Sequence, residues 1–517
     1  MSKNRIFNQI AAKRPRTNNF DLSHEKKLSM KMGQLIPILT EEIIPGDNFR
    51  VKSEVMLRMA PMIAPIMHRV NVQTHWFFVP NRLTWTSWED FITGGPDGNL
   101  TPVLPTMQIA STSQFGKGRV GDYMGIPPIK DGVVPSNKPR VSALPFRAYQ
   151  MIYNEYFRDQ NLEQPVDFGV GDAIGTDTTD LTTIRQRNWE KDYFTSALPW
   201  AQRGGEVAMP LDVEYKPVST VHDYLGNQLH DAGNLQVTAQ GNLDSDHIGT
   251  DNVQLQNIEG SGITINDLRR ATRLQEWLEK NARGGARYVE QIFSHFGVKS
   301  SDARLQRPEF LGGGRTPVVI SEVLSTAEAQ IDLEHPNVQY TVPQGNMAGH
   351  GIGIGTHHGF KKRFEEHGYI IGIMSVLPKT TYMQGIPKTF LKLDKFDFFW
   401  PEFANIGEQP IIDQELYIDY SGVQDADKGT FGYQSRYSEY KFKNSEVSGD
   451  FRETLRFWHM GRYFENKPEL NEEFVQSDPT ERIFAVDDDG ETDKLYVQIY
   501  NNVRAIRPMP IFGTPTL

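Results

Sequence analysis

Hydrophobic and polar positions alternate with a period of two in several stretches of the chain, and each such run predicts a β-strand with one buried face. Phe49, Val51, Ser53, Val55, Leu57 and Met59 fall on one side, and Arg50, Lys52, Glu54, Met56 and Arg58 on the other, ending before Pro61. Val70, Val72, Thr74, Trp76 and Phe78 repeat the pattern against Asn71, Gln73 and His75. Phe77 then makes both faces apolar, so this strand is expected to be covered on both sides, by a second sheet or a neighbouring subunit, until Pro80 stops it. Further strands are predicted over residues 318–323, 369–377, 390–399, 455–459 and 495–505, with Leu495, Val497, Ile499, Val503 and Ala505 sharing a face in the last.

Helical spacing appears between these runs. Pro145 suits a first helical position and leads Phe146, Tyr149, Ile152 and Tyr156. Ser87 with Asp90 has the form of a capping box, opening a short helix that stops at Gly94 and Gly95. Asn266 is the expected cap of a helix carrying Leu268, Ala271, Leu274 and Leu278, and Val289, Ile292, Phe293 and Phe296 mark another that ends at Gly297. Strands and helices do not alternate regularly enough for a parallel sheet. The predicted fold is mainly β: an antiparallel sandwich or barrel decorated with helices.

Residues 95–138, rich in Gly, Pro and Ser, and residues 222–262, dominated by Asn, Asp, Gln and Gly, read as long excursions. Connections longer than about 15 residues are uncommon in compact domains unless they have a function or are disordered. Roughly the first 30 residues read as an extended basic arm: Lys3, Arg5, Lys13, Arg14 and Arg16 precede the first acid, Asp21, and Lys26, Lys27 and Lys31 follow.

Composition narrows the classes. The chain of 517 residues has no cysteine, which excludes disulfides, thiolate catalysis and cysteine-held metals. Its net charge is −11, so the molecule as a whole is not a polycation that wraps nucleic acid. A mean hydropathy of −0.49 without any apolar stretch of about 18 residues argues against a membrane-spanning helix. The start, MSKNRIFN, lacks the apolar core of a secretory signal.

Enzyme signatures fail one by one. Gly351-Ile352-Gly353-Ile354-Gly355 begins like a dinucleotide fingerprint, but the closing glycine position falls on His358 or Thr356, and the run reads as a loop. Aligning the acidic run from Asp487 to Glu491 with a calcium loop puts Ala485 and Tyr496 at the two anchoring positions. His350, His357, His358 and His367 cluster beside Lys361, Lys362 and Arg363, which favours a polar loop over a metal site. The aromatic blocks from His75 to Phe78 and from Phe396 to Trp400 are expected in a core. No metal site, cofactor or catalytic residue is expected.

Several stretches together resemble the major capsid proteins of the Microviridae, particularly the gokushovirus-like branch. They are His68-Arg69-Val70 running into HWFFVPNR at 75–82, then Trp85, Trp88 and Phe91, LPFRAY at 144–149, NEYFRDQN at 154–161, Leu198-Pro199-Trp200, Pro210-Leu211 and VRAIRPMP at 503–510. The likeness breaks down around residues 222–262. It implies an eight-stranded antiparallel viral jelly roll with large loop and helix insertions. That gives a basic arm over 1–30 and one capsid domain over 31–517, with helices and loops at about 86–200 and a polar surface insertion plus helices at 213–316.

The implied function is a structural coat protein of a bacteriophage, self-assembling into a small icosahedral (T=1) shell around circular single-stranded DNA in the bacterial host cytoplasm. Implied partners are other copies of the chain, packaged DNA, a small basic DNA-binding protein, scaffolding and minor or pilot virion proteins, and the bacterial host surface. Lys3, Arg5, Lys13, Arg14 and Arg16 are the expected nucleic-acid-binding residues. Residues 222–262 are expected on the outer surface. Trp85/Trp88, Arg504/Arg507 with Pro508, and the apolar tail after Pro508 are expected at subunit contacts. The rival reading is a β-sandwich carbohydrate-binding or glycoside-active protein, for which Glu89/Asp90 and Glu365/Glu366 are the neighbouring acids.

Overall fold

The computed structural model describes residues 15–174, 178–205, 207, 265–285, 287–324, 347–420, 428–486 and 492–512. In chain order its strands are β1 (Asn18–Asp21), β2 (His24–Met30), β3 (Ile36–Ile43), β4 (Asn48–Met59), β5 (Val70–Pro80), β6 (Thr106–Gln108) and β7 (Arg140–Ser142). They continue with β8 (Glu309–Pro317), β9 (Val319–Leu324), β10 (Met347–Arg363), β11 (Gly368–Pro378), β12 (Glu408–Ile412), β13 (Thr430–Ser435) and β14 (Leu495–Arg507).

Two antiparallel sheets carry the fold. One has the order β1–β14–β4–β10–β9 with β2 also on β14; the other has β3–β11–β5–β8. This is a jelly-roll sandwich, as the resemblance implied. Its sheets hold ten strands rather than eight because two strands are interrupted. β1 and β2 lie in succession along β14, with Asp21 opposite Arg504 and His24 opposite Asn501. β8 pairs with β5 in one sheet, and the chain then crosses at Val318 so that β9 pairs with β10 in the other. Residues 18–30, expected within the extended arm, are thus an edge of the sandwich.

The alternation in β4 and β14 is borne out. Phe49, Val51, Val55, Leu57, Leu495, Val497, Ile499, Val503 and Ala505 meet Trp76, Phe78, Ile370, Met374 and Val376 in the core between the sheets. Phe77 points the other way. With Val79, Ile371 and Ile373 it packs on Phe115, Phe146, Tyr149 and Ile152, so the second face of the β3–β11–β5–β8 sheet is covered by this chain's own helices. The Leu144–Ile152 helix, with Pro145 at its start, supplies much of that cover and continues as a π-helical turn over Tyr153–Phe157. Residues 95–138 hold short helices and β6, and contribute Phe115 and Val120 to the same layer. A third core joins Tyr193, Phe194, Tyr382, Ile411, Leu416, Phe431 and Phe474 around the β12–β13 pair.

Three expectations fail locally. The run at 351–355 is not a loop but part of β10. Its glycines face the sandwich interior, where a Cβ on Gly351 would sit 2.6 Å from Met59 Sδ. Residues 390–399 are not a strand: the 3-10 turns Lys388–Phe390 and Lys395–Asp397 occupy the segment, and Asp397 Oδ2 accepts from the Leu393 and Asp394 amides at 2.9 and 2.8 Å. Residues 455–459 form the 3-10 turn Arg456–Trp458.

Ser87 precedes the Trp88–Thr93 helix but makes no side-chain cap bond, and Gly94 closes the helix at φ 80°. The Tyr288–Phe296 helix ends at Gly297 as predicted. The described residues fall into two compact units, one from within 1–201 and 285–517 and one from within 202–284. The described part of the second unit includes the Ile265–Gly284 helix, with Asn266 inside it rather than capping it. Residues 222–262 and the acidic run 487–491 lie outside the described residues.

Candidate assembly and nucleic-acid interface

Of the five basic residues expected to contact nucleic acid, Lys3, Arg5, Lys13 and Arg14 lie outside the described residues. Arg16 is exposed, two positions before β1. Lys26 turns inward: its Nζ donates to the Pro37 carbonyl at 2.9 Å and to the Tyr123 carbonyl. Burial lowers its pKa to about 8, with the nearby Asp122 acting in the opposite direction. Lys27, on the opposite face of β2, is exposed and lies 3.5 Å from Glu25.

The residues expected at subunit contacts are largely occupied within the chain. Trp85 is buried and donates from Nε1 to Asp172 Oδ1 at 2.6 Å, with the Trp88 ring 6.3 Å away edge-on. Arg504 pairs with Asp21 at 2.9 Å. Arg507 sits over the Phe49 ring, donates to the Glu42 carbonyl at 2.6 Å and approaches the fully buried Asp47 at 3.4 Å. Burial raises the Asp47 pKa, opposed by the Ile44 amide and Arg507. The tail differs: Ile511 and Phe512 are exposed.

The aromatic block expected in a core is instead on the surface. Phe390 is 75% and Leu393 92% exposed, and Phe396, Phe398, Phe399, Trp400, Ile406 and Tyr440 are each about half exposed. These side chains lie along one short segment, with Tyr440 packed beside Phe399. Phe396 lies 5.8 Å from Phe403, and Phe399 lies 5.0 Å from Tyr437 and 6.3 Å from Tyr440. The tract is anchored below by a polar frame. Lys392 Nζ bonds Glu439 at 2.9 Å with both side chains nearly buried, and it rests 3.7 Å from the Tyr440 ring centre. Tyr437 and Tyr440 hydroxyls accept from the Trp400 and Phe399 amides at 3.1 and 3.3 Å. At about 150–250 Å² per ring, half exposed, this tract presents on the order of 1,000 Å² of apolar surface. Ordinary monomers rarely expose more than roughly 300–600 Å² in one patch.

The histidine cluster expected in a polar loop lies mostly in a strand: His350, His357 and His358 belong to β10. A bulge in β10 between Gly355 and His358 turns His358 inward, where it is 2% exposed. Its Nδ1 meets Thr74 Oγ1 at 2.5 Å and its Nε2 meets Thr316 Oγ1 at 2.7 Å, tying one sheet to two strands of the other. His68 Nε2 donates to the Lys379 carbonyl at 2.6 Å. Burial lowers the pKa of both His68 and His75 to about 4. Among the described residues no group of three or more His, Cys, Asp or Glu is arranged to hold a metal, and no helix is long and apolar enough to cross a membrane.

The acids of the rival sugar-active reading have structural surroundings. Glu366 is held by Arg82 at 2.6 Å, and Glu89 and Asp90 lie in the first turn of the Trp88–Thr93 helix. A cleft of about 750 Å³ beside Trp189, Arg462, Phe474 and Arg482 is lined by cations and acids alike. Arg462 is engaged there, stacked 4.2 Å from the Phe474 ring centre and bonded to the Phe474 carbonyl.

A jelly roll that exposes a large apolar surface fits a protein that packs against others. Comparison with known proteins agrees along the whole length. A family model described as capsid protein (F protein) matches residues 8–517. Capsid protein VP1 of Chlamydia phage 1 is 34% identical, covering 100% of this chain and 98% of the relative. Capsid protein VP1 of Bdellovibrio phage phiMH2K is 36% identical over 98% of this chain and 97% of its own length. The VP1 of Spiroplasma virus 4 is 31% identical over 96% and 94%. With a match of this extent joined to the jelly-roll fold, the chain belongs to the capsid protein (F protein) family of bacteriophages and is a structural protein of the virion.

Proposed function

We propose that this chain closes into a small icosahedral shell around single-stranded DNA, and that the aromatic tract at 390–406 with Tyr440 is one of its copy-to-copy contacts. The observation that carries the reading is that tract, set in a chain whose family builds capsids. A specific interface buries about 800 Å² on each partner, and the tract supplies that much apolar surface from a single segment. Several distinct interfaces per subunit are needed to close a shell.

The basic arm with Lys3, Arg5, Lys13, Arg14 and Arg16 faces packaged DNA in this reading, and residues 222–262 face outward toward the host surface. A net charge of −11 leaves the genome's phosphates largely unneutralised by the coat, so a small basic protein or bound cations complete the packaging. Scaffolding and minor or pilot proteins assist assembly in the host cytoplasm. Light scattering on size-exclusion fractions, with negative-stain images, tests the proposal: closed particles of many copies are expected. A stable monomer or dimer under all assembly conditions contradicts it, and an elongated trimer points to a fibre instead.

A further inference from the structure

The outward face of the β1–β14–β4–β10–β9 sheet is unusual for an acidic protein. Alternation in β4 puts Arg50, Lys52 and Arg58 on the solvent side, all exposed. The register sets Arg504 of β14 directly opposite Arg50 on one side and Lys361 of β10 opposite Arg50 on the other. Three cations therefore stand in one row across three adjacent strands. Like charges directly opposite each other destabilise a sheet, with side chains starting only about 4.5–5.5 Å apart. Among the described residues, Arg504 alone of the three has a carboxylate close by, Asp21 at 2.9 Å, and Glu25 and Glu54 on the same face lie further along the strands. Tyr496 and Tyr500 are exposed on the same face, with Tyr496 opposite Arg58 and Tyr500 opposite Glu54. In sequence, the basic residues Lys3, Arg5, Lys13, Arg14 and Arg16 precede β1.

We propose that this face, from the Arg504–Arg50–Lys361 row to Tyr496 and Tyr500, is the binding surface for a single-stranded polynucleotide, its phosphates lying along the cations and its bases against the tyrosines. Evenly placed cations suit a repeating phosphate chain, and exposed rings on an open sheet suit unpaired bases, which offer a π-face that a duplex hides. This inference rests on the reading of the chain as a DNA-enclosing shell protein and adds where on the subunit the strand lies.

The test uses the full chain and a fluorescent oligothymidylate, with anisotropy read across a salt series. R50Q/K361Q is compared with K117Q/K130Q, an equal charge change at exposed positions elsewhere. The first pair is expected to weaken binding at least several-fold and to flatten the log–log salt slope by about 1.4, at roughly 0.7 for each phosphate no longer neutralised. Y496A is expected to weaken binding by about tenfold, as for removal of one base–ring stack. Equal affinities and slopes for the two charge pairs overturn the proposal, since a general field rather than this face then attracts the strand. Normal oligonucleotide binding with failed particle closure in R50Q/K361Q also overturns it, showing that the face meets an acidic surface of another copy. Particle images of the unaltered chain, taken in parallel, report on the shell itself. Weakened binding in a chain that never closes particles supports this face while counting against the shell reading.

Discussion

At the scale of single residues, the inward positions of β4 and β14 were readable because each carries a large apolar side chain at period two. His358 was not. Its orientation follows from the bulge after Gly355, which shifts register by an amount that no alternation pattern reports. Because His358 satisfies Thr74 and Thr316 in the core, His358→Ala is expected to cost about 2–4 kcal/mol, combining poorer packing with two orphaned hydroxyls. Chemical denaturation of the monomeric subunit checks this.

Protonation acts through His68 and His75, whose pKa values fall from the ordinary 6.5 to about 4 on folding. The folded state holds them neutral, so their contribution is complete above about pH 6.5 and is lost as pH falls toward about 4, by up to about 1.4 kcal/mol per pH unit for each ring. Thermal melts across that range are expected to show the decline. His75→Gln should flatten it; an unchanged slope would show that other groups dominate acid stability.

Elements were legible in proportion to how their core face is built. β11, and β5 from Trp76 to Val79, announce themselves with branched and aromatic residues on both sides, because one face meets the opposing sheet and the other meets helices. β10 hides itself, since the residues it turns inward are glycines that let the sheets approach. The segment at 390–399 misleads in the opposite sense: it has the aromatics of a buried strand, yet Asp394, Asp397 and Pro401 shape it into turns that hold the rings outward.

Glycine replacements distinguish close approach from mere smallness. A Cβ on Gly372 would meet the Trp76 ring at 2.2 Å, whereas one on Gly353 finds its nearest neighbour, Val318, at 3.5 Å. Gly372→Ala is therefore expected to destabilise by about 1–3 kcal/mol through overpacking, and Gly353→Ala to be nearly neutral. Melting temperatures of the two variants decide it. For the exposed tract, Leu393→Glu with Phe398→Glu is expected to leave the subunit's melting temperature within a few degrees and to abolish particle closure. Normal particles from that variant would remove the tract from the assembly account.

For the whole molecule, the scattered strands and interposed helices already pointed to a β-sandwich, and the combined sequence blocks pointed to capsid proteins. What the sequence left hidden was which surfaces remain uncovered once the chain has folded. Trp85 and Arg507 look like contact residues in the sequence and are consumed internally, whereas the 390–406 aromatics look like core and are not. Exposure is a property of the finished packing, and local pattern carries little of it. Removing residues 1–16 tests the arm at this scale. The truncated chain is expected to fold with its β1 edge intact, and to bind single-stranded DNA with a shallower salt dependence, by about 0.7 in slope for each phosphate the arm had neutralised. Unaltered binding would place the DNA-binding surface elsewhere.

The most direct measurement of the central claim is a cryo-microscopy reconstruction of particles formed by this chain. The account predicts a closed icosahedral shell of jelly-roll subunits in which Leu393, Phe398 and Trp400 are buried against a neighbouring copy. A closed shell that leaves those side chains in solvent would contradict the assigned contact, and a preparation containing only separate, unassociated subunits would contradict the account as a whole.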